Sequence, residues 1–115
     1  MEYVLLIYGD ERAAESMPRE QMTEVINAYM AYTQALRDAK VMVASNRLKP
    51  TSAATTVRTT NGQTKVLDGP FAETKEQLGG YYLIDVPDLD AALSWAKRCP
   101  AVRYGTVEVR PIWVM

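Results

Sequence analysis

Glu108 and Arg110 alternate with Val107 and Val109 near the C-terminus. On an extended strand, residues two apart project from one face, so this carboxylate and guanidinium stand together. A carboxylate deprived of water accepts a proton more readily, and a neighbouring guanidinium can hold the carboxylate or enolate of a substrate. The plainer reading is a charged edge strand, where such groups discourage sheet-to-sheet aggregation. Tyr8, Asp10 and Glu11 close the apolar opening run and add a hydroxyl and two carboxylates at a strand end.

Two further segments offer polar groups on rigid or exposed backbone. Asp68-Gly69-Pro70-Phe71 reads first as a turn, with Asp68 bonded to its own backbone, Gly69 free in φ, Pro70 fixed and Phe71 plugging the core. As a site it would be the rigid rim of a cleft, with the Asp68 carboxylate facing a ligand. Glu73-Thr74-Lys75-Glu76 reads either as a solvated loop or as a charged lid in which Lys75 holds an anionic group. Tyr81 and Tyr82 point to opposite faces; one packs in the core and the other, assigned as Tyr82, lines a cavity with its hydroxyl. The catalytic candidates are therefore Asp68, Glu73 and Glu108. The substrate-binding candidates are Tyr8, Asp10, Lys75, Tyr82 and Arg110.

What is missing narrows the chemistry. The chain has no His, so the usual neutral-pH base and the commonest metal ligand are both absent. A carboxylate base must then be tuned upward by burial to work near neutrality. No acidic spacing resembles a calcium loop, so no metal is expected, and no motif calls for a cofactor. Cys99 follows a helix and precedes Pro100; without a His to activate it, it reads as a buried structural thiol. Trp95 borders an apolar face and reads as an interface residue.

The elements that must position these groups follow from periodicity. Residues 2–8 are β-rich and apolar on both faces, a buried strand. A polar loop is expected to about Ser16, then a helix over 18–39. There Met22, Val25, Ile26, Tyr29, Thr33 and Leu36 recur three and four apart, with Pro18 in the first turn and Ser16 as a possible cap. Residues 41–47 read as a strand, and 54–60 and 63–67 as a hairpin about Asn61-Gly62. Residues 72–78 suit one helical turn. Gly79-Gly80 then opens a strand over 81–86. Asp88 caps a second helix with Leu89, Ala92, Leu93 and Ala96 on its buried face; Pro100 stops it, and 107–110 is the last strand.

At 115 residues, 48% hydrophobic and 23% charged, the chain is one globular α+β domain spanning 1–115. Thirteen Lys and Arg against fourteen Asp and Glu give a net charge of -1, which disfavours a nucleic-acid partner. No segment is long and apolar enough for a membrane span or a signal peptide, and a single Cys suits the reducing cytoplasm. The order is β-α-β, hairpin, β-α-β. That is the ferredoxin-like split βαβ with an inserted β-hairpin, and the first and last strands are expected at the sheet edges. Two helices cover one face only. The other face, with Val4, Leu6 and Tyr8 on the first strand, would be a large apolar patch. A second copy, sheet against sheet, is the simplest cover, so a homodimer is expected.

The stretch DGPFAETKEQLGGYYLI (68–84) resembles the signature of the DGPF subfamily of YCII-related proteins. The likeness extends to VLLIYGDE (4–11), VPDLDAALSWAKRCP (86–100) and VEVRPIW (107–113). The resemblance implies a dimeric α+β barrel of ferredoxin-like protomers. It also implies a kinship with proteins in some of which a His–Asp pair is proposed as catalytic, a pair this chain does not have. Where many members carry a His after Arg, this chain has Tyr104 after Arg103. Some DGPF proteins are linked to sigma factors. Two functions follow. One is a small-molecule-binding protein or cofactor-free enzyme of isomerase or lyase type, taking a small anionic or aromatic ligand. The other is a non-catalytic regulatory or protein-interaction module linked to sigma-factor-dependent transcription.

Overall fold

The structure, a computed structural model, describes residues 1–115. Strand β1 (Glu2–Gly9) ends where Asp10 turns the chain. The Asp10 carboxylate accepts hydrogen bonds from Arg12 N (2.9 Å) and Ala13 N (3.4 Å) and so caps a short helix α1 (Glu11–Glu15). This replaces the polar loop expected there. Ser16 closes α1, its hydroxyl bonded back to the carbonyls of Arg12 and Ala13, and does not start the next helix. Pro18 holds that start with its preset φ of -56° and no side-chain cap. Helix α2 (Arg19–Asp38) then runs twenty residues and buries Tyr32 and Leu36.

Lys40 takes a left-handed φ of 61° and turns the chain into β2 (Met42–Arg47). Strands β3 (Thr55–Thr60) and β4 (Gln63–Asp68) form the expected hairpin. Asn61 and Gly62 have φ of 52° and 77°, the paired positive values that a two-residue turn of this hand requires. Residues 72–76 form bends and no helix, since they have no apolar face to bury. Strand β5 (Gln77–Asp85) begins four residues earlier than the sequence suggested and contains both glycines. Ile7 pairs with Gly80 and Tyr8 with Leu78, which leaves Gly79 as the extra residue of a bulge. A Cβ on Gly80 would lie 2.8 Å from the Asn46 carbonyl oxygen, so only glycine lets β2 and β5 meet there.

Helix α3 (Leu89–Arg98) is capped by Asp88, which accepts from Ala91 N at 2.9 Å. Ala92 and Ala96 are buried, but Leu89, in the first turn, is 48% exposed and not on the buried face. After a short 3₁₀ turn at Pro100–Arg103 comes the last strand, β6 (Thr106–Pro111).

The four-stranded antiparallel sheet has the order β2-β5-β1-β6, and the fold is the α+β split βαβ with the hairpin as a separate two-stranded sheet. One expectation is corrected: β1 is central, and the edges are β2 and β6. Each β-α-β unit leaves a one-strand gap, and the first strand of either unit fills the gap of the other. The core lies between sheet and helices, around Leu5, Leu36, Ile84, Tyr82 and Cys99. No helix is long and apolar enough to cross a membrane. The molecule is a plate of 48 × 44 × 18 Å with a radius of gyration of 16.1 Å. A compact chain of this length has roughly 13 Å.

Candidate functional site: the open face of the sheet

Alternation divides the sheet residues between two sides. Tyr3 and Leu5 of β1, Tyr82 and Ile84 of β5, and Val107 and Val109 of β6 belong to the core side. Val4, Leu6 and Tyr8, Tyr81 and Leu83, Glu108 and Arg110 take the other parity and lie on the open face, where no helix packs.

The register makes this open face a patch with a definite order. Leu6 sits between Tyr81 of β5 and Glu108 of β6, and Val4 between Leu83 and Arg110. Tyr8 sits between Leu78 and Thr106. The Tyr81 hydroxyl accepts a hydrogen bond from Asn46 Nδ2 on β2 at 2.9 Å. Glu108 and Arg110 form an ion pair, with side chains 39% and 66% exposed. An apolar strip therefore runs between a tyrosine–amide pair on one side and a carboxylate–guanidinium pair on the other.

One end of the sheet is tied by polar bonds. Thr106 Oγ1 donates to Glu76 Oε1 at 2.7 Å, and Glu11 N donates to Gln77 Oε1 at 3.0 Å. The Glu11 carboxylate receives both Thr51 N (2.8 Å) and Thr51 Oγ1 (2.7 Å). A Cβ on Gly105 would lie 2.1 Å from the Tyr8 carbonyl oxygen, so the turn into β6 is pressed against the end of β1.

The structure brings together three of the residues singled out from the sequence: Tyr8, Glu108 and Arg110 share the open face. Asp10 is engaged as a helix cap. Asp68, Glu73 and Lys75 are exposed on the hairpin end and the following loop, with no side-chain hydrogen bond or ion pair. Phe71 is 76% exposed and plugs nothing; the Arg58 guanidinium lies 5.6 Å from its ring centre. Tyr82 is the core member of its pair, 5% exposed, with its hydroxyl 2.8 Å from Thr33 Oγ1. It packs edge-on against Tyr32 at 5.3 Å between ring centres. Tyr81 is the one on the open face. Parity held the signal, since Tyr81 alternates with charged Asp85 and Tyr82 with Ile84 and Val86. Asn46, Glu76 and Thr106 had no such signal, because their places depend on strand pairing.

Titration follows the same division. Burial pushes the ionisation of Tyr29, Tyr32 and Tyr82 above the ordinary tyrosine range. Burial also pushes the Cys99 thiol up, and this residue is the inert core thiol expected. Trp95 is partly buried, with the Arg98 guanidinium 4.3 Å above its ring. No three Cys, Asp or Glu side chains converge as a metal cluster. An open depression of about 580 Å³ lies beside β2, lined by Thr33, Arg37, Lys40 and Ser45 among others. It includes none of the candidate catalytic or substrate-binding residues.

Comparison with known proteins adds three findings. A family model described as the YCII-related domain matches residues 1–115. The chain is similar to the uncharacterized protein R00369 of Rhizobium meliloti (strain 1021), 41% identical over 114 residues, covering 97% of this chain and 92% of that protein. Among solved structures it is similar to 5-chloro-2-hydroxyhydroquinone dehydrochlorinase (TftG) from Burkholderia phenoliruptrix AC1100, in complex with 2,5-dihydroxybenzoquinone. That likeness has a TM-score of 0.56 at 12% identity and covers 99% of this chain and 94% of the other, a likeness of fold.

Proposed function

This chain belongs to the YCII-related family, and from that premise we propose that its open sheet face is the floor of a small-molecule site closed by a second copy of the chain. One observation carries the reading. The strands that are sealed on their helix side present, on the other side, an apolar strip bounded by Tyr81–Asn46 and by Glu108–Arg110. An uncovered strip of this kind on a monomer is an interaction surface. A second sheet laid over it would exclude water from the Glu108 carboxylate, the condition under which a carboxylate serves as a base near neutral pH.

The chemistry such a site performs is cofactor-free proton transfer of isomerase or lyase type. Glu108 takes a proton from carbon next to a carbonyl, and the electron pair moves to the carbonyl oxygen. Arg110 holds that developing anion. Return of the proton at another carbon gives an isomer; departure of a neighbouring anion gives an elimination product. Neither outcome needs an oxidant. Tyr8 and Tyr81 supply flat walls and hydroxyls, which suits a planar anionic or aromatic ligand. Asp68, Glu73 and Lys75, free of partners on the hairpin end and loop, serve as the rim. That TftG, with the same fold, is a dehydrochlorinase bound to a dihydroxybenzoquinone supports this class of ligand. A single Cys, unpaired and buried at position 99, supports a reducing compartment such as the cytoplasm.

Native mass spectrometry followed by a denaturing run tests the reading. The expected result is a dimer carrying a small molecule that is released on denaturation and lost from Glu108→Gln and Arg110→Met. A bare dimer that also fails to bind 2,5-dihydroxybenzoquinone and simple keto acids by calorimetry would overturn it.

A further inference from the structure

The β3–β4 hairpin has nothing beneath it. Val57 and Val66 oppose each other across the two strands and are 62% and 68% exposed. The plate is 18 Å thick, which a sheet and one helix layer already fill, so the hairpin does not fold back over either face. Only its base is fixed. Gly69 N donates to the Ala54 carbonyl at 2.8 Å, and Thr56 Oγ1 donates to the Gly69 carbonyl at 2.7 Å. A lone two-stranded hairpin is marginal in water and needs a surface to pack on.

Charge says which surface. The projecting segment 48–69 contains Lys49, Arg58 and Lys65 against a single carboxylate, Asp68. The rest of the chain holds thirteen carboxylates against ten cations. A basic arm with an exposed apolar face thus belongs to a chain whose body is acidic and has its own uncovered apolar face. In a two-fold dimer each arm meets the body of the other copy, so the two mismatches are relieved twice. The cations steer and orient the encounter, and the valines supply the buried contact.

We infer that the β3–β4 hairpin is an intermolecular arm that packs its Val57–Val66 face on a second copy of this chain. This rests on the dimer of the preceding reading but not on its ligand.

The test uses the full chain carrying Gln63→Cys at the hairpin tip, labelled with a photoreactive maleimide, Cys99 being buried. Equal amounts of normal and ¹⁵N-labelled protein are mixed, irradiated and digested. The expected products join a tip peptide of one isotope to a body peptide of the other. In parallel, Val57→Asp with Val66→Asp should raise the dimer dissociation constant about tenfold or more, the effect of losing one buried hot spot. Both valines are exposed within the protomer, so its melting curve in dilute protein, where association is weak, should stay in place. A dimer whose tip cross-links only within its own chain, or whose dissociation constant ignores the double substitution, overturns the arm and leaves the sheet-face dimer standing. A dimer with crossed arms but no ligand keeps the arm and removes the proposed chemistry. A monomer at all concentrations overturns both.

Discussion

The two sides of the central strands differ in almost everything except backbone. On the helix side of β1 and β5, Leu5 and Ile84 have no exposed surface, and the tyrosine hydroxyls of Tyr32 and Tyr82 are bonded to the Trp95 carbonyl and to Thr33. On the open side, one residue along, Leu6 and Leu83 are only half-buried and are flanked by Tyr81, Glu108 and Arg110. The helix side has its polar groups satisfied internally. The open side has charges and hydroxyls at its margins and an apolar centre. The comparison teaches that adjacent residues of one strand answer to different demands, folding on one side and, on the proposed reading, recognition on the other.

The sharpest way to break that comparison is to truncate two neighbouring leucines. Leu5→Ala should cost about 2–5 kcal/mol and lower the melting temperature by roughly 10 °C or more. Leu6→Ala, melted in dilute protein where association is weak, should cost under about 1 kcal/mol. Equal costs in dilute protein would mean the two faces are not distinct.

The second comparison is between chemistry and stability at one pair. Glu108→Gln should lower turnover or ligand affinity about a hundredfold if the carboxylate is the base. Its melting curve should move by no more than about 0.5 kcal/mol, since exposed ion pairs contribute little. A large stability loss with unchanged binding would make the pair structural.

Gly105→Ala crosses both faces at once. The new methyl meets the Tyr8 carbonyl, so the end of β1 must shift at a cost of roughly 1–3 kcal/mol. Chemical denaturation reads that cost, and ligand titration should show weaker binding because Tyr8 and Thr106 move with the strand.

Alkali should attack the helix side first. Tyr29, Tyr32 and Tyr82 ionise higher in the folded protein than the ordinary value of about 10. Above that pH the folded state keeps protons that the unfolded state has lost. Stability is thus complete below about pH 10 and falls as pH rises beyond it. Tyrosinate absorbance from these residues should appear together with loss of helical circular dichroism; their ionisation in a still-folded protein would contradict the burial seen here.

The smallest effect belongs to Asn46→Ala. It removes one exposed hydrogen bond to Tyr81, and stability should change by less than about 1 kcal/mol. Ligand affinity should drop a few-fold as the Tyr81 ring loses its anchor. An unchanged affinity would move the site boundary inward from β2.

Local chemistry was legible in the residues. Asn61-Gly62 announced its turn, Asp88 its cap and Pro100 its stop, because each acts through its own backbone. Alternation placed Val4, Leu6 and Tyr8 on one face and Glu108 with Arg110 on one face. What depends on pairing was not legible. The order that puts β1 in the centre, the bulge at Gly79 and the meeting of Asn46 with Tyr81 are set by neighbours distant in sequence. Phe71 and Leu89 misled for the same reason: apolar character implies burial, but only the tertiary fold supplies a surface to bury against. The assignment of Tyr82 to a cavity fails because Tyr82 shares its parity with Ile84 and Val86, which are buried.

The bond between Gly69 and Ala54 has a consequence for descent. It closes the fourteen intervening residues at their base, so the sheet registers of β2 and β5 do not depend on what lies between. The arm is a cassette. It can lengthen, shorten or change its face in one lineage while the core stays as it was. On the proposed role of the arm, such a change alters which copies pair without any change to the residues that hold the protomer together.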